Sequence, residues 1–222
     1  MTLREKYGEW GIILGATEGV GKAFCERLAK EGMNVVMVGR REEKLKELGE
    51  ELKNTYEIDY KVVKADFSLP DATDKIFAAT ENLDMGFMAY VACLHSFGKI
   101  QDTPWEKHEA MINVNVVTFM KCFYHYMKIF AAQDRGAVIN VSSMTGISSS
   151  PWNGQYGAGK AFILKMTEAV ACETEKTNVD VEVITLGNYS DTKSFKQPAW
   201  RTTGGSCYED CSNTGRSCGR SF

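Results

Sequence analysis

Residues 10–21 read WGIILGATEGVG, and this stretch decides the fold. Trp10–Leu14 is a short apolar run of strand character. Gly15-Ala16-Thr17-Glu18-Gly19-Val20-Gly21 then interrupts it with glycine at three positions. Behind this loop Val20, Phe24 and Leu28 recur at i, i+4 and i+8, the spacing of one helix face over residues 19–31. Glycines here let the backbone turn tightly and approach a pyrophosphate. The free N–H groups of the helix N-terminus then attract the phosphates. The strand–loop–helix context, more than the glycines themselves, points to a dinucleotide. The candidate contacts are Gly15, Thr17, Glu18, Gly19, Val20 and Gly21.

Outward from this unit the chain repeats the alternation. Further strands are expected at 34–38, Tyr60–Lys64, 86–93, 137–142 and 180–185, and helices at 41–56, 71–82, 105–132 and 155–177. Leu45, Leu48 and Leu52 line one side of the charged helix 41–56, and Asp71 is placed to cap helix 71–82. Alternating strands and helices call for a parallel sheet with right-handed crossovers. Several strands are continuously apolar, as they are when helices cover both faces. The expected fold is therefore α/β, a doubly wound, Rossmann-type parallel sheet with helices on both faces. Residues 1–192 read as one dinucleotide-binding and catalytic domain. Residues 193–222 read as an atypical, disordered tail, because 201–222 contain no Ala, Val, Ile, Leu, Met or Lys and cannot bury much apolar surface.

Composition excludes several classes. A net charge of −3, from 26 basic and 29 acidic residues, leaves no basic footprint for nucleic acid. The longest nearly uncharged apolar stretch, 85–94, is too short to span a bilayer, so no membrane insertion is expected. The N-terminal residues lack the apolar core of a signal peptide, and a cytoplasmic protein follows. Cys25, Cys93, Cys122 and Cys172 sit in apolar-patterned segments and read as reduced thiols. No metal site is expected. His95, His108 and His125 have no partners at ligand spacing, and Cys207, Cys211 and Cys218 lack a fourth ligand.

The end of the second strand chooses the cofactor. NAD-binding folds usually place an acidic residue there for the ribose 2′-hydroxyl. This chain has Gly39-Arg40-Arg41. No carboxylate repels a 2′-phosphate, and Arg40 can pair with one, so NADP(H) is expected. Glu18 argues mildly against this. Asp66, after the third strand, either accepts a hydrogen bond from the adenine amino group or caps a turn.

Tyr156-Gly157-Ala158-Gly159-Lys160 opens a helix, where i, i+4 spacing puts Tyr156 and Lys160 on one face. A nearby ammonium favours the phenolate and lowers the pKa of a phenol, which can then exchange a proton with an alcohol or carbonyl oxygen. Upstream, Ser142 or Ser143 closes a strand and can hold the same oxygen.

Together, GATEGVG at 15–21, INVN at 112–115, INVSS at 139–143 and YGAGK at 156–160 resemble the short-chain dehydrogenase/reductase family over about residues 8–192. The family places its serine thirteen positions before its tyrosine, which selects Ser143. The resemblance implies Tyr156 as general acid/base, Lys160 lowering its pKa and binding the nicotinamide ribose, and Ser143 orienting the substrate oxygen. Asn115 would hold a water that links Lys160 to solvent. It also implies cofactor contacts at Ala92, Gly187 and Thr192.

Two departures stand out. Val91-Ala92-Cys93-Leu94 replaces the family's Asn-Asn-Ala-Gly after the fourth strand, removing the asparagine that steadies the sheet. Only 30 residues follow Thr192, where the family supplies a substrate-covering helix pair and a last strand; that strand and lid region are expected to be missing. Residues 32–45, 66–67 and 83–86 look most like the hydroxysteroid dehydrogenase and long-chain 3-oxoacyl reductase branch. The implied function interconverts a secondary alcohol and a ketone on a bulky apolar substrate, a hydroxysteroid and more narrowly a bile acid. The alternatives are a 3-oxoacyl thioester reductase or a truncated, non-catalytic nucleotide-binding variant. Family resemblance further implies a homodimer or homotetramer packed through the two long helices.

Overall fold

The computed structural model describes residues 1–148 and 151–187. The tail expected from residue 193, its three cysteines and Thr192 lie outside these residues. Six strands form one sheet in the order β3-β2-β1-β4-β5-β6: β1 (Trp10–Leu14), β2 (Asn34–Gly39), β3 (Tyr60–Lys64), β4 (Met85–Tyr90), β5 (Gly136–Ser143) and β6 (Val179–Leu186). Every pair is parallel. The strand order reverses between β1 and β4, so a crevice opens at their C-terminal ends.

Side chains alternate across the sheet and divide the core in two. Ile13, Val35, Met37, Phe87 and Ala89 face a layer made by α1 (Leu3–Tyr7), α2 (Gly19–Lys30) and α3 (Glu42–Tyr56). Ile12, Leu14, Val36, Val38, Met88 and Tyr90 face α4 (Ala72–Thr80), α6 (Phe119–Gln133) and α7 (Gly154–Glu173). β1, β2 and β4 are buried along their whole length, which explains their unbroken apolar sequences. β3, at an edge, is largely accessible, with Val63 alone of its residues buried.

Four local readings change. Helix α1 was not foreseen; Thr2 and Glu5 form a capping box on it, and the Tyr7 hydroxyl bonds Asp180 of β6. In α2 the buried stripe is Gly21, Cys25, Leu28 and Ala29, while Val20 and Phe24 are only half-buried. The small residues let the helix lie close on the sheet and rotate the stripe by one position. Asp71 occupies the N-cap of α4 but makes no capping bond; its carboxylate pairs with Lys75 at 2.7 Å instead. The expected helix 105–132 is α5 (Trp105–Ile112), a π-helical segment Asn113–Thr118, and α6. Widened turns of this kind cost regular hydrogen bonding and often mark functional sites.

Candidate active site

The loop leaving β1 is tightly folded. Gly15 has φ +101° and Gly19 φ +57°. A Cβ on Gly15 would lie 2.6 Å from the Ala92 nitrogen, and one on Gly21 would lie 2.0 Å from the Gly15 carbonyl oxygen. The loop is fastened by the Gly15 and Ala16 amides, which donate to the Val38 carbonyl at 3.0 and 3.1 Å. At Gly19 nothing lies within 4 Å of where a Cβ would stand. Glu18 holds the N-cap position of α2 but makes no side-chain capping bond, so the first-turn amides are not consumed by its carboxylate. An uncapped helix N-terminus behind an open glycine fits a pyrophosphate. Beside it, Thr17 sits at the end of β2, where a Cβ on Gly39 would lie 2.9 Å from its Oγ1.

The two arginines differ in their partners. Arg41 meets Glu18 through two contacts, Nη1 to Oε2 at 3.1 Å and Nη2 to Oε1 at 3.0 Å. Arg40 is exposed, and its charge acts on Asp66. Burial works to raise the Asp66 carboxyl. The Ser68 amide and hydroxyl, donating to Oδ1 at 3.0 and 2.7 Å, outweigh it with help from Arg40 and hold the group below its ordinary range. Asp66 thus closes a turn through Oδ1.

β5 delivers the two serines to different neighbours. Ser142 is buried, and its hydroxyl donates to the Lys160 carbonyl at 2.8 Å, fastening α7 to the sheet. Ser143 faces the cleft, accepts from the Thr145 amide and hydroxyl at 3.3 and 3.0 Å, and hydrogen-bonds Tyr156. The glycines of YGAGK seat α7. A Cβ on Gly157 would lie 2.7 Å from the Thr145 carbonyl oxygen, and one on Gly159 would lie 2.9 Å from Asn115 Cβ. Tyr156, Lys160, Ser143 and Asn115 are thereby brought together.

The electrostatics differ from the expectation. Burial pushes the Tyr156 phenol up, Cys93 adds to the rise and the Ser143 bond opposes it, leaving it at about 12. Lys160 does not reverse this. Its ammonium is fully buried, desolvation lowers its pKa, and Nζ donates to the Val141 carbonyl at 2.6 Å, 5.8 Å from the centre of the Tyr156 ring.

The loop after β4 lacks the family asparagine, and two other devices hold it. The Val91 and Ala92 amides both donate to the Leu14 carbonyl, at 2.9 and 2.7 Å, which also ends β4 at Tyr90. Buried Asn115, in the π-helical segment, clamps Leu94: Oδ1 accepts from its amide at 3.1 Å and Nδ2 donates to its carbonyl at 2.7 Å. The clamp places His95 edge-on to Tyr156, with ring centres 5.8 Å apart, and Phe97 beyond it at 5.6 Å. Burial lowers the His95 pKa. The sequence signal for His95 is its position just past the fourth strand. Gly187 follows β6, and among the described residues nothing lies within 4 Å of its Cβ position. Among the described residues no group of three or more His, Cys, Asp or Glu is arranged to hold a metal ion.

Comparison with known proteins agrees with this construction. The short chain dehydrogenase family matches residues 9–200. The chain is 83% identical over 187 residues to a 7β-hydroxysteroid dehydrogenase of Collinsella aerofaciens, covering 84% of this chain and 71% of that one. It is 45% identical over 188 residues to a 7β-hydroxysteroid dehydrogenase of Clostridium sardiniense, covering 85% and 72%. A solved structure from work on 7β-hydroxysteroid dehydrogenase stereoselectivity superposes with a TM-score of 0.84 at 83% identity, covering 84% of this chain and 72% of that one. This chain belongs to the short-chain dehydrogenase family of oxidoreductases.

Proposed function

We propose that this chain is an NADP(H)-dependent oxidoreductase that interconverts the 7β-hydroxyl and 7-oxo forms of a steroid, with bile acids as the narrower substrate class. The observation that carries this reading is the 83% identity over 187 residues to an enzyme of that name. The tyrosine, lysine, serine and asparagine meeting in one cleft support it.

A bound nicotinamide supplies hydride exchange with the substrate carbon. The chain's own residues do the rest. Gly15, Gly19, Val20 and Gly21 hold the pyrophosphate against α2, and Arg40, Arg41 and Thr17 take the 2′-phosphate. Ala92 passes the adenosine ribose, with Gly187 on the nicotinamide side. In the reducing direction burial keeps Tyr156 protonated, so its phenol gives a proton to the carbonyl oxygen while Ser143 holds that oxygen. In the oxidising direction Tyr156 takes the proton back from the alcohol. Lys160, one turn along α7, offsets the charge of the phenolate that must form before Tyr156 can accept that proton. Asn115 keeps the loop at 91–97 against this group. Leu94, Met144, Ile147 and Trp152 form the apolar wall for the steroid.

We place the protein in the cytoplasm, since Cys25, Cys93, Cys122 and Cys172 are free thiols. Two copies pack through the long helices, where Ile112, Val117 and Tyr124 expose apolar surface. Among the described residues no helix is long and apolar enough to cross a membrane.

The test is a purified chain given NADP+ or NAD+ with the 7β- or 7α-hydroxy epimer of one bile acid. NADP+ with the 7β epimer should turn over fastest, the other pairings being slower by about tenfold or more. Turnover of a 3-oxoacyl thioester with NADPH, but of no steroid in either direction, would move the reaction to that class. Cofactor binding with no turnover on either would leave a nucleotide-binding chain.

A further inference from the structure

Arg41 and Glu18 face each other across the mouth of the glycine loop. Their two contacts of 3.0 and 3.1 Å are the fork geometry in which a guanidinium grips a carboxylate or a phosphate. The side chains remain 44% and 58% exposed, so the pair opens at little cost. Arg40 also acts on a carboxylate, but through its field on Asp66, whose Oδ1 is held by Ser68. Only one of the two arginines therefore has its fork filled by an anion of this chain's own loop. That anion sits at the N-cap of the helix whose first-turn amides fit the pyrophosphate.

A 2′-phosphate arriving at Arg41 meets a guanidinium already gripped. We infer that Glu18 is a specificity-determining latch: it occupies the fork of Arg41 and yields it to the 2′-phosphate of the cofactor. The exchange replaces one anion by another on the same guanidinium. Glu18 therefore keeps Arg41 ordered at the loop mouth, and it lowers the net grip on the phosphorylated ribose, easing release. A ribose carrying only a hydroxyl offers no anion to displace the carboxylate, so the latch acts on the phosphorylated form alone. The inference rests on the NADP(H) reading proposed above.

The experiment is a calorimetric titration of the full chain with adenosine 2′,5′-bisphosphate and adenosine 5′-monophosphate. It compares wild type, Glu18→Gln, Arg41→Ala and the double variant. Wild type should prefer the bisphosphate. Glu18→Gln should bind it tighter, on the order of threefold or more, and leave the monophosphate nearly unchanged. In the Arg41→Ala background the gain should vanish. A wild type without preference for the bisphosphate removes the NADP(H) reading, and the latch with it. A wild-type preference that Glu18→Gln leaves unaltered removes the latch alone. So does a gain that persists without Arg41, because Glu18 would then repel the phosphate directly.

Discussion

Asn115 shows how one residue can serve the site without touching substrate. Its amide satisfies both backbone groups of Leu94, and it does so from a buried position. Asn115→Ala leaves a buried N–H and C=O unpaired, at about 1–3 kcal/mol each less whatever water recovers. Urea denaturation should show a loss in that range, with a fall in kcat as His95 and Tyr156 lose their register. Tyr156 makes a separate prediction. Its folded-state pKa of about 12 lies above the ordinary value of 10, so the folded chain holds this proton more tightly than the unfolded chain. The stabilisation is complete below pH 10 and is lost as pH rises towards 12. A phenolate absorbance titration of wild type minus Tyr156→Phe should find one group ionising near the top of that window. A midpoint at or below 10 would contradict the burial argument.

At the scale of elements, the central strands were the most legible. A strand buried on both faces must be continuously apolar, and β1, β2 and β4 announce themselves that way. The catalytic spacing was legible for a similar reason, since i, i+4 on a helix is a contact whatever surrounds it. Other features depend on partners distant in sequence. The capping box of Thr2 and Glu5 is local, but α1 is seated by Tyr7 on Asp180, 173 residues away. Asn115, in the π-helical segment, reaches Leu94, a contact that no helical period encodes. Whether Lys160 or burial governs Tyr156 is likewise a question of three-dimensional surroundings. The seat of α1 can be tested. A Cβ on Gly86 would lie 1.8 Å from the Tyr7 carbonyl oxygen, a backbone atom that must move. Gly86→Ala should cost about 1–3 kcal/mol by overpacking. Chemical denaturation should show this with kcat little changed, because the seat is at the opposite end of β4 from the catalytic loop.

At the scale of the whole molecule, the sheet topology joins two halves at one crevice. β1 and β2 bring the glycine loop and the arginines, while β4 and β5 bring the His95 loop and Ser143, with α7 carrying Tyr156 and Lys160 across. Doubly wound sheets bind ligands at this reversal, so the site follows from connectivity before any side chain is considered. The exposed Ile112, Val117 and Tyr124 on the long helical segment make the assembly testable. Sedimentation velocity should find a dimer or tetramer, and Val117→Lys with Tyr124→Lys should shift it towards monomer. A wild-type monomer would remove the proposed interface.

The central claim is hydride transfer at carbon 7 of a steroid under the control of Tyr156. The most direct test uses a 7β-hydroxysteroid deuterated at carbon 7, with NADP+, followed by mass spectrometry of the recovered nucleotide and steroid. Wild type should place deuterium on the reduced nicotinamide and yield a 7-oxo steroid, and Tyr156→Phe should slow the transfer by about a hundredfold or more. Deuterium that stays on the steroid, or a Tyr156→Phe variant that transfers it at the wild-type rate, would contradict the account.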